Sequence, residues 1–142
     1  MHVLIAGDYT ALAGEINALY HEAAVRAGIS DSVQNILYVL CEEQGHCPQS
    51  EIARRTGISR QTINSAIRKL EKDGIIVLEP GKGRNTIVCL TEKGQCFAEE
   101  KIAPLFAVEN KIWNEWTEEE QRTYLNLTKK YRDALKRHMA SL

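Results

Sequence analysis

The chain has 142 residues, 44% hydrophobic and 26% charged, with a net charge of −1, enough apolar material for one folded core. No run approaches the roughly 18–20 uninterrupted apolar residues of a membrane span, and the N-terminus lacks the pattern of a secretory signal, so a cytoplasmic protein without a membrane partner is expected. No Gly-rich phosphate loop, nucleophile elbow or carboxylate pair with a base emerges, which argues against an enzyme and against a cofactor.

In chain order, residues from about Thr10 to Ala27 place Leu12, Ile16, Leu19, Tyr20 and Ala23 on one helical face. Cys41, Glu42, Glu43, His46 and Cys47 then cluster within seven residues. Their side chains are zinc-ligand types, but the spacing is irregular and no HxxxH pair completes a site, so no metal ligand is assigned. The four cysteines, Cys41, Cys47, Cys89 and Cys96, include no CxxC pair and read as small, mostly buried hydrophobes. A redox role would need an electropositive setting, which Glu42 and Glu43 oppose.

Gln49 to Gly74, QSEIARRTGISRQTINSAIRKLEKDG, reads as two short helices around a tight turn. The first, Glu51 to Thr56, carries Ile52 and Ala53 inward and Arg54 and Arg55 outward, and Gly57 can take the positive φ of the corner. In the second, Ser59 is the N-cap and Ile63, Ala66, Ile67 and Leu70 form the buried stripe at i, i+3, i+4 and i+7. Arg60, Gln61, Asn64, Ser65 and Arg68 remain on the opposite side, where their donors and acceptors match base edges and phosphates. This is the pattern of a DNA-reading helix-turn-helix, against the bland alternative of a helical hairpin with a solvated face.

Two β-branched runs follow, IIVLEP and NTIVCLT, joined by GKGR; they predict a hairpin wing with Lys82 and Arg84 near its tip. A basic wing suits insertion into a narrow minor groove; the simpler reading is a solvated turn with two charges. Pro104 is expected to interrupt the helix that begins after Thr91, with a kink near Ala103. Thr117 with Glu120 makes a capping box that starts a last helix, and Trp113 and Trp116 just before it can pack between helices. Tyr124, Leu127, Tyr131 and Leu135 line one face of that last helix and, like the N-terminal stripe, need cover.

Charge is unevenly shared. Residues 1–50 carry −5, residues 51–90 carry +4 and residues 91–142 are neutral, so the positive charge sits on the hairpin and the wing. That is the electrostatic footprint expected where phosphates dock.

From GISDSVQNILYVL through SEIARRTGISRQTINSAIRKLEKDGII to LTEKG, Gly28 to Gly94, the chain resembles the MarR family of winged helix-turn-helix transcriptional regulators. The resemblance implies a mainly α fold with a small β-hairpin wing, a winged helix-turn-helix core flanked by N- and C-terminal dimerisation helices. Residues 1–142 then form a single MarR-like chain, with a DNA-binding lobe at 30–91 and a helical dimerisation lobe from 1–29 and 92–142. A twofold homodimer follows, acting on double-stranded DNA as a repressor at a pseudo-palindromic operator, with DNA contacts from Ser59, Arg60, Gln61, Asn64, Ser65, Arg68, Lys82 and Arg84. Family wings often carry an Asp-x-Arg pair; Arg84 matches the arginine, whereas Lys82 stands at the acidic position. Release of DNA by a small aromatic or lipophilic effector is also implied, with Tyr20, His21, Arg26 and Tyr38 as lining groups. The competing classes are a winged-helix module for protein association without an operator and a metal- or redox-sensing regulator; apolar anchors on the outer face of the second helix would favour protein association, and that face has none.

Overall fold

Helix caps and left-handed glycines divide the chain into its elements. The computed structural model describes His2–Leu142, with side chains described from Gly7 onward. The order is α1 (His2–Ala27), α2 (Asp31–Glu42), β1 (His46–Pro48), α3 (Gln49–Thr56), α4 (Arg60–Lys72), β2 (Ile76–Pro80), β3 (Thr86–Leu90), α5 (Glu92–Glu115) and α6 (Glu118–Met139). The first helix starts well before the Thr10 expected from its apolar stripe, and α3 starts at Gln49 rather than Glu51. No helix among the described residues is long and apolar enough to cross a membrane.

The chain divides into two compact units, one ending at Leu105 and one spanning Phe106–Leu142. The core of the first is built from Ile36, Leu37 and Leu40 of α2, Ile52 of α3, Ile63, Ile67 and Leu70 of α4, and Ile75, Ile76 and Val88 around the sheet. Burying such side chains stabilises by roughly 1.5–3 kcal/mol each before entropy is counted, so these positions fix how α2, α3 and α4 pack. Ser30 caps α2 by accepting from Val33 N at 3.2 Å. Gln34, the buried polar side chain of α2, donates Nε2 to the Tyr20 carbonyl at 2.9 Å and ties α1 to α2.

Three antiparallel strands run in the order β1-β3-β2. The wing predicted from IIVLEP and NTIVCLT is β2 and β3, in register from Ile76↔Leu90 to Pro80↔Thr86. β1 was not anticipated, because three residues are too few to show alternation and the pairing His46↔Cys89 is long-range. Thr91 joins wing to α5: its hydroxyl donates to the Gly74 carbonyl at 2.6 Å and accepts from Gly94 N at 2.9 Å. Gly94 is pressed so close that a Cβ there would lie 1.9 Å from the Ile75 carbonyl oxygen.

Helix α5 runs on through Pro104, so the expected interruption does not occur. One missing N–H and one displaced carbonyl cost about 3 kcal/mol, and the 24-residue helix keeps its remaining ladder on both sides. In the second unit Trp113, Trp116 and Tyr124 meet edge to face, with centroids 5.0–5.9 Å apart, and Gln121 Nε2 donates to the Trp113 carbonyl at 2.6 Å. The Thr117–Glu120 capping box is complete in both directions. No residue of α6 is buried.

Candidate nucleic-acid interface

Helix α4 begins where Ser59 Oγ accepts from Thr62 N at 3.2 Å and donates to Thr62 Oγ1 at 2.8 Å. The cap uses Ser59 Oγ as an acceptor and the bond to Thr62 Oγ1 uses its side chain's one donor, which leaves the Thr62 hydroxyl proton available to a phosphate or base. Gly57, at φ 68°, supplies the left-handed corner before it. Ile63, Ile67 and Leu70 face the core, so Gln61, Ser65, Arg68 and Lys72, at i, i+4, i+7 and i+11, form an exposed outward ridge. Arg60 and Asn64 lie along one flank of the ridge, and Thr62 and Lys69 along the other. Asn64 is half-buried, and its Oδ1 accepts a hydrogen bond from Nε2 of Gln49, the first residue of α3.

Cations sort sharply by partner. Arg54 pairs with Glu51 on its own helix, which holds the Glu51 carboxyl below its ordinary value, first through the hydrogen bond and then through charge. Arg55 reaches Glu42 and Glu43 at the end of α2, 2.5 Å to each. By contrast Arg60, Arg68, Lys69, Lys72, Lys82 and Arg84 form no ion pair among the described residues. Arg55 thus ties α3 to the end of α2 and Arg54 is paired on its own helix, while the unpaired cations of the 49–90 segment lie on α4 and the wing tip, as do further unpaired lysines and Arg137 on α5 and α6.

That tip is a closed turn: Asn85 N donates to Lys82 O at 3.2 Å, Gly81 N donates to Asn85 O at 2.8 Å, and Gly83 has φ 65°. Positive φ at the first central residue is what the primed hairpin turns require. Lys82 and Arg84 are exposed on either side of Gly83, and the tip's backbone rather than a carboxylate sets their spacing.

The four residues assigned to an effector lie on α1 and α2. His21 Nδ1 is 2.9 Å from both carboxylate oxygens of Asp31, and Arg26 Nη2 is 2.6 Å from Glu22 Oε1, so each of these side chains already faces an acid. Tyr20 meets α2 through its carbonyl, and Tyr38 is half-buried on α2. The clustered acids and thiols near Cys41 diverge: Glu42 and Glu43 turn to Arg55, Cys47 is buried and His46 is exposed. No group of three His, Cys, Asp or Glu able to hold a metal occurs among the described residues. Burial pushes the thiols of Cys41, Cys47 and Cys89 up, with Glu43 and Glu51 adding to the effect at Cys47 and Glu79 at Cys89. A thiol-based sensor needs the opposite shift.

The sequence reading omitted Gln49, Thr62, Lys69 and Lys72. Thr62 and Lys72 carried a spacing signal, the i+3 position from the cap and the i+11 continuation from Gln61; Gln49 carried none.

A winged helix-turn-helix DNA-binding family model matches residues 25–77. An uncharacterised HTH-type transcriptional regulator from the TAR-I ttuE-ttuC' intergenic region of Agrobacterium vitis is 35% identical over 85 residues, 60% of this chain. The chain spans 43% of that relative's length. A MarR-family regulator from Neisseria meningitidis superposes with a TM-score of 0.86 at 15% identity, covering 95% of this chain and 96% of that one. A MarR-family regulator from Streptomyces coelicolor, solved in complex with DNA, gives 0.73 at 22% identity, covering 93% and 89%. At these identities the structural likeness speaks for the fold.

Proposed function

We propose that this chain, a winged helix-turn-helix protein with the fold of the MarR-family regulators, is a sequence-specific DNA-binding transcriptional regulator. It acts in the cytoplasm as a homodimer whose two α4 helices enter successive major grooves about 10 bp apart on a pseudo-palindromic operator. Arg60, Gln61, Ser65 and Arg68 reach base edges and phosphates, with Asn64 beside them and Ser59 at the helix start. Lys82 and Arg84 bring the wing to the minor groove. The flanking segments, 1–29 and 92–142, form the dimerisation lobe beside the 30–91 reading lobe. Occupancy represses transcription, and a small aromatic or lipophilic effector near Tyr20, His21, Arg26 and Tyr38 releases the DNA.

The observation that carries this reading is the sorting of cations: those on α3 are neutralised within the protein, and those on α4 and the wing are not. A solvated hairpin gives no reason for that division; a phosphate-facing surface does. The test is binding of the purified protein to a genomic DNA library at two salt concentrations, with sequencing of the retained fragments. A short inverted repeat whose recovery falls steeply with salt is expected. Recovery of no enriched motif would sink the operator reading and favour protein association.

A further inference from the structure

We propose that α1 of one subunit is covered by α6 of a second copy of this chain, lying antiparallel to it, and that a row of acids on α1 meeting a row of cations on α6 selects that pairing. The inference rests on the homodimeric regulator proposed above and names the helix that fills each exposed face and its direction. The apolar stripe of α1 steps by four, three and four residues from Leu12 to Ala23, and that of α6 by three and four from Tyr124 to Tyr131. Both are the spacing of a helix-pairing seam. Leu12, Leu19, Leu127 and Tyr131 are all exposed in the single chain.

Charges flank the two seams in the same way. Asp8, Glu15 and Glu22 follow at seven-residue steps on α1, with Glu15 and Glu22 immediately before the stripe residues Ile16 and Ala23. On α6, Lys130 and Arg137 stand seven apart, with Lys130 immediately before Tyr131. Seven residues fall only about 20° short of two turns, so each set is a row, and about 10.5 Å separates successive charges in both. All five side chains are exposed. Glu22 pairs with Arg26, whereas Asp8, Glu15, Lys130 and Arg137 form no ion pair among the described residues. Ala24, on the opposite flank of the α1 seam, is buried, which leaves the acidic flank as the open one.

Because each row precedes its seam, the two rows lie on the same side of their helices. A parallel pair would set the acidic flank of α1 against the opposite flank of α6; an antiparallel pair brings like flanks together, and so acids to cations. Each contact occurs twice in a twofold dimer. Exposed pairs of this kind are individually weak, so their part is to select partner and direction while the apolar seams supply the adhesion.

The test uses two full-length variants, Asp8→Lys/Glu15→Lys and Lys130→Glu/Arg137→Glu, in sedimentation velocity over a range of concentrations, each alone and the two mixed in equal amounts. Thermal melting verifies that each is folded. Either variant alone sets like charges together and should raise the dimer dissociation constant by about ten- to a hundredfold. The mixture joins a chain with two basic rows to one with two acidic rows, so both contacts are complementary again and a heterodimer of near-parental affinity should form. A chain carrying all four substitutions should recover as well. Recovery in that chain but not in the mixture would mean that the rows meet within one chain, and unchanged dissociation constants in the two variants would mean that charge takes no part; either result overturns the proposal. A parent protein that sediments as a monomer at every concentration would instead overturn the homodimer itself, a result distinguishable from the others.

Discussion

Arg55 and Arg68 show how two arginines thirteen residues apart reach opposite roles. Arg55 is 24% exposed and holds two carboxylates, so its charge is compensated inside the protein. Arg68 is exposed on α4 and forms no ion pair among the described residues. Arg68→Ala should therefore weaken operator binding by about 1–3 kcal/mol and relax preference at one base pair, read by titration on matched and mismatched sites. Arg55→Ala leaves Glu42 and Glu43 side by side without a counter-charge; it should lower stability by about 1 kcal/mol in denaturant titration with base preference intact. Lys82→Ala should reduce the salt slope of log K by about 1 without altering specificity. The thiols have a pH signature. The folded state keeps the Cys41 and Cys47 protons to higher pH than the unfolded chain, whose ordinary thiol value is 9.0. Stability is thus unaffected below that value and falls as pH rises beyond it, a decline that Cys47→Ala should reduce in denaturation curves taken between neutral and alkaline pH.

At the scale of elements, the junction between wing and α5 is governed by close packing. Gly94 is buried, and the site for its Cβ overlaps the Ile75 carbonyl, a backbone atom that cannot rotate away. Gly94→Ala should cost about 1–3 kcal/mol, measured as a shift in denaturant midpoint, because relief requires moving α5 or the α4–β2 turn. An unchanged midpoint would show that this junction yields freely. Signals of this kind divide what was legible in the sequence from what was not. Local chemistry was readable: the Ser59 and Thr117 caps, the Gly57 corner, the α4 stripe and the wing hairpin all depend on residues within a few positions of each other. Long-range geometry was not. β1 forms because His46–Pro48 finds β3 some forty residues on, and the Gln49–Asn64 bond depends on how α3 docks against α4. The interruption expected at Pro104 does not occur, because its cost is local whereas helix continuation depends on the whole of α5. Arg54 and Arg55 looked like members of a cationic face; only the packing of α2 against α3 brings Glu42 and Glu43 to Arg55.

For the whole molecule, the two apolar stripes read from the sequence stay exposed in the single chain. Leu12, Ile16 and Leu19 of α1 are open, Leu19 at 64%, and so are Leu127, Tyr131 and Leu135 of α6, Leu127 at 59%. An exposed apolar stripe of this kind marks an association face, and the proposed homodimer requires one. Joining two reading heads turns the second half-site contact into an intramolecular event, which raises affinity by about 10²–10⁴-fold without any new contact to DNA. Leu127→Glu places a charge in the middle of the α6 stripe, far along the chain from every residue assigned to DNA. Dimer-to-monomer conversion in sedimentation velocity is expected, together with a loss of full-operator affinity on that scale and unchanged binding to an isolated half-site. A variant that still sediments as the parent does, with full affinity, would remove α6 from the interface. Loss of half-site binding as well would instead mean that the substitution disturbs the reading lobe itself.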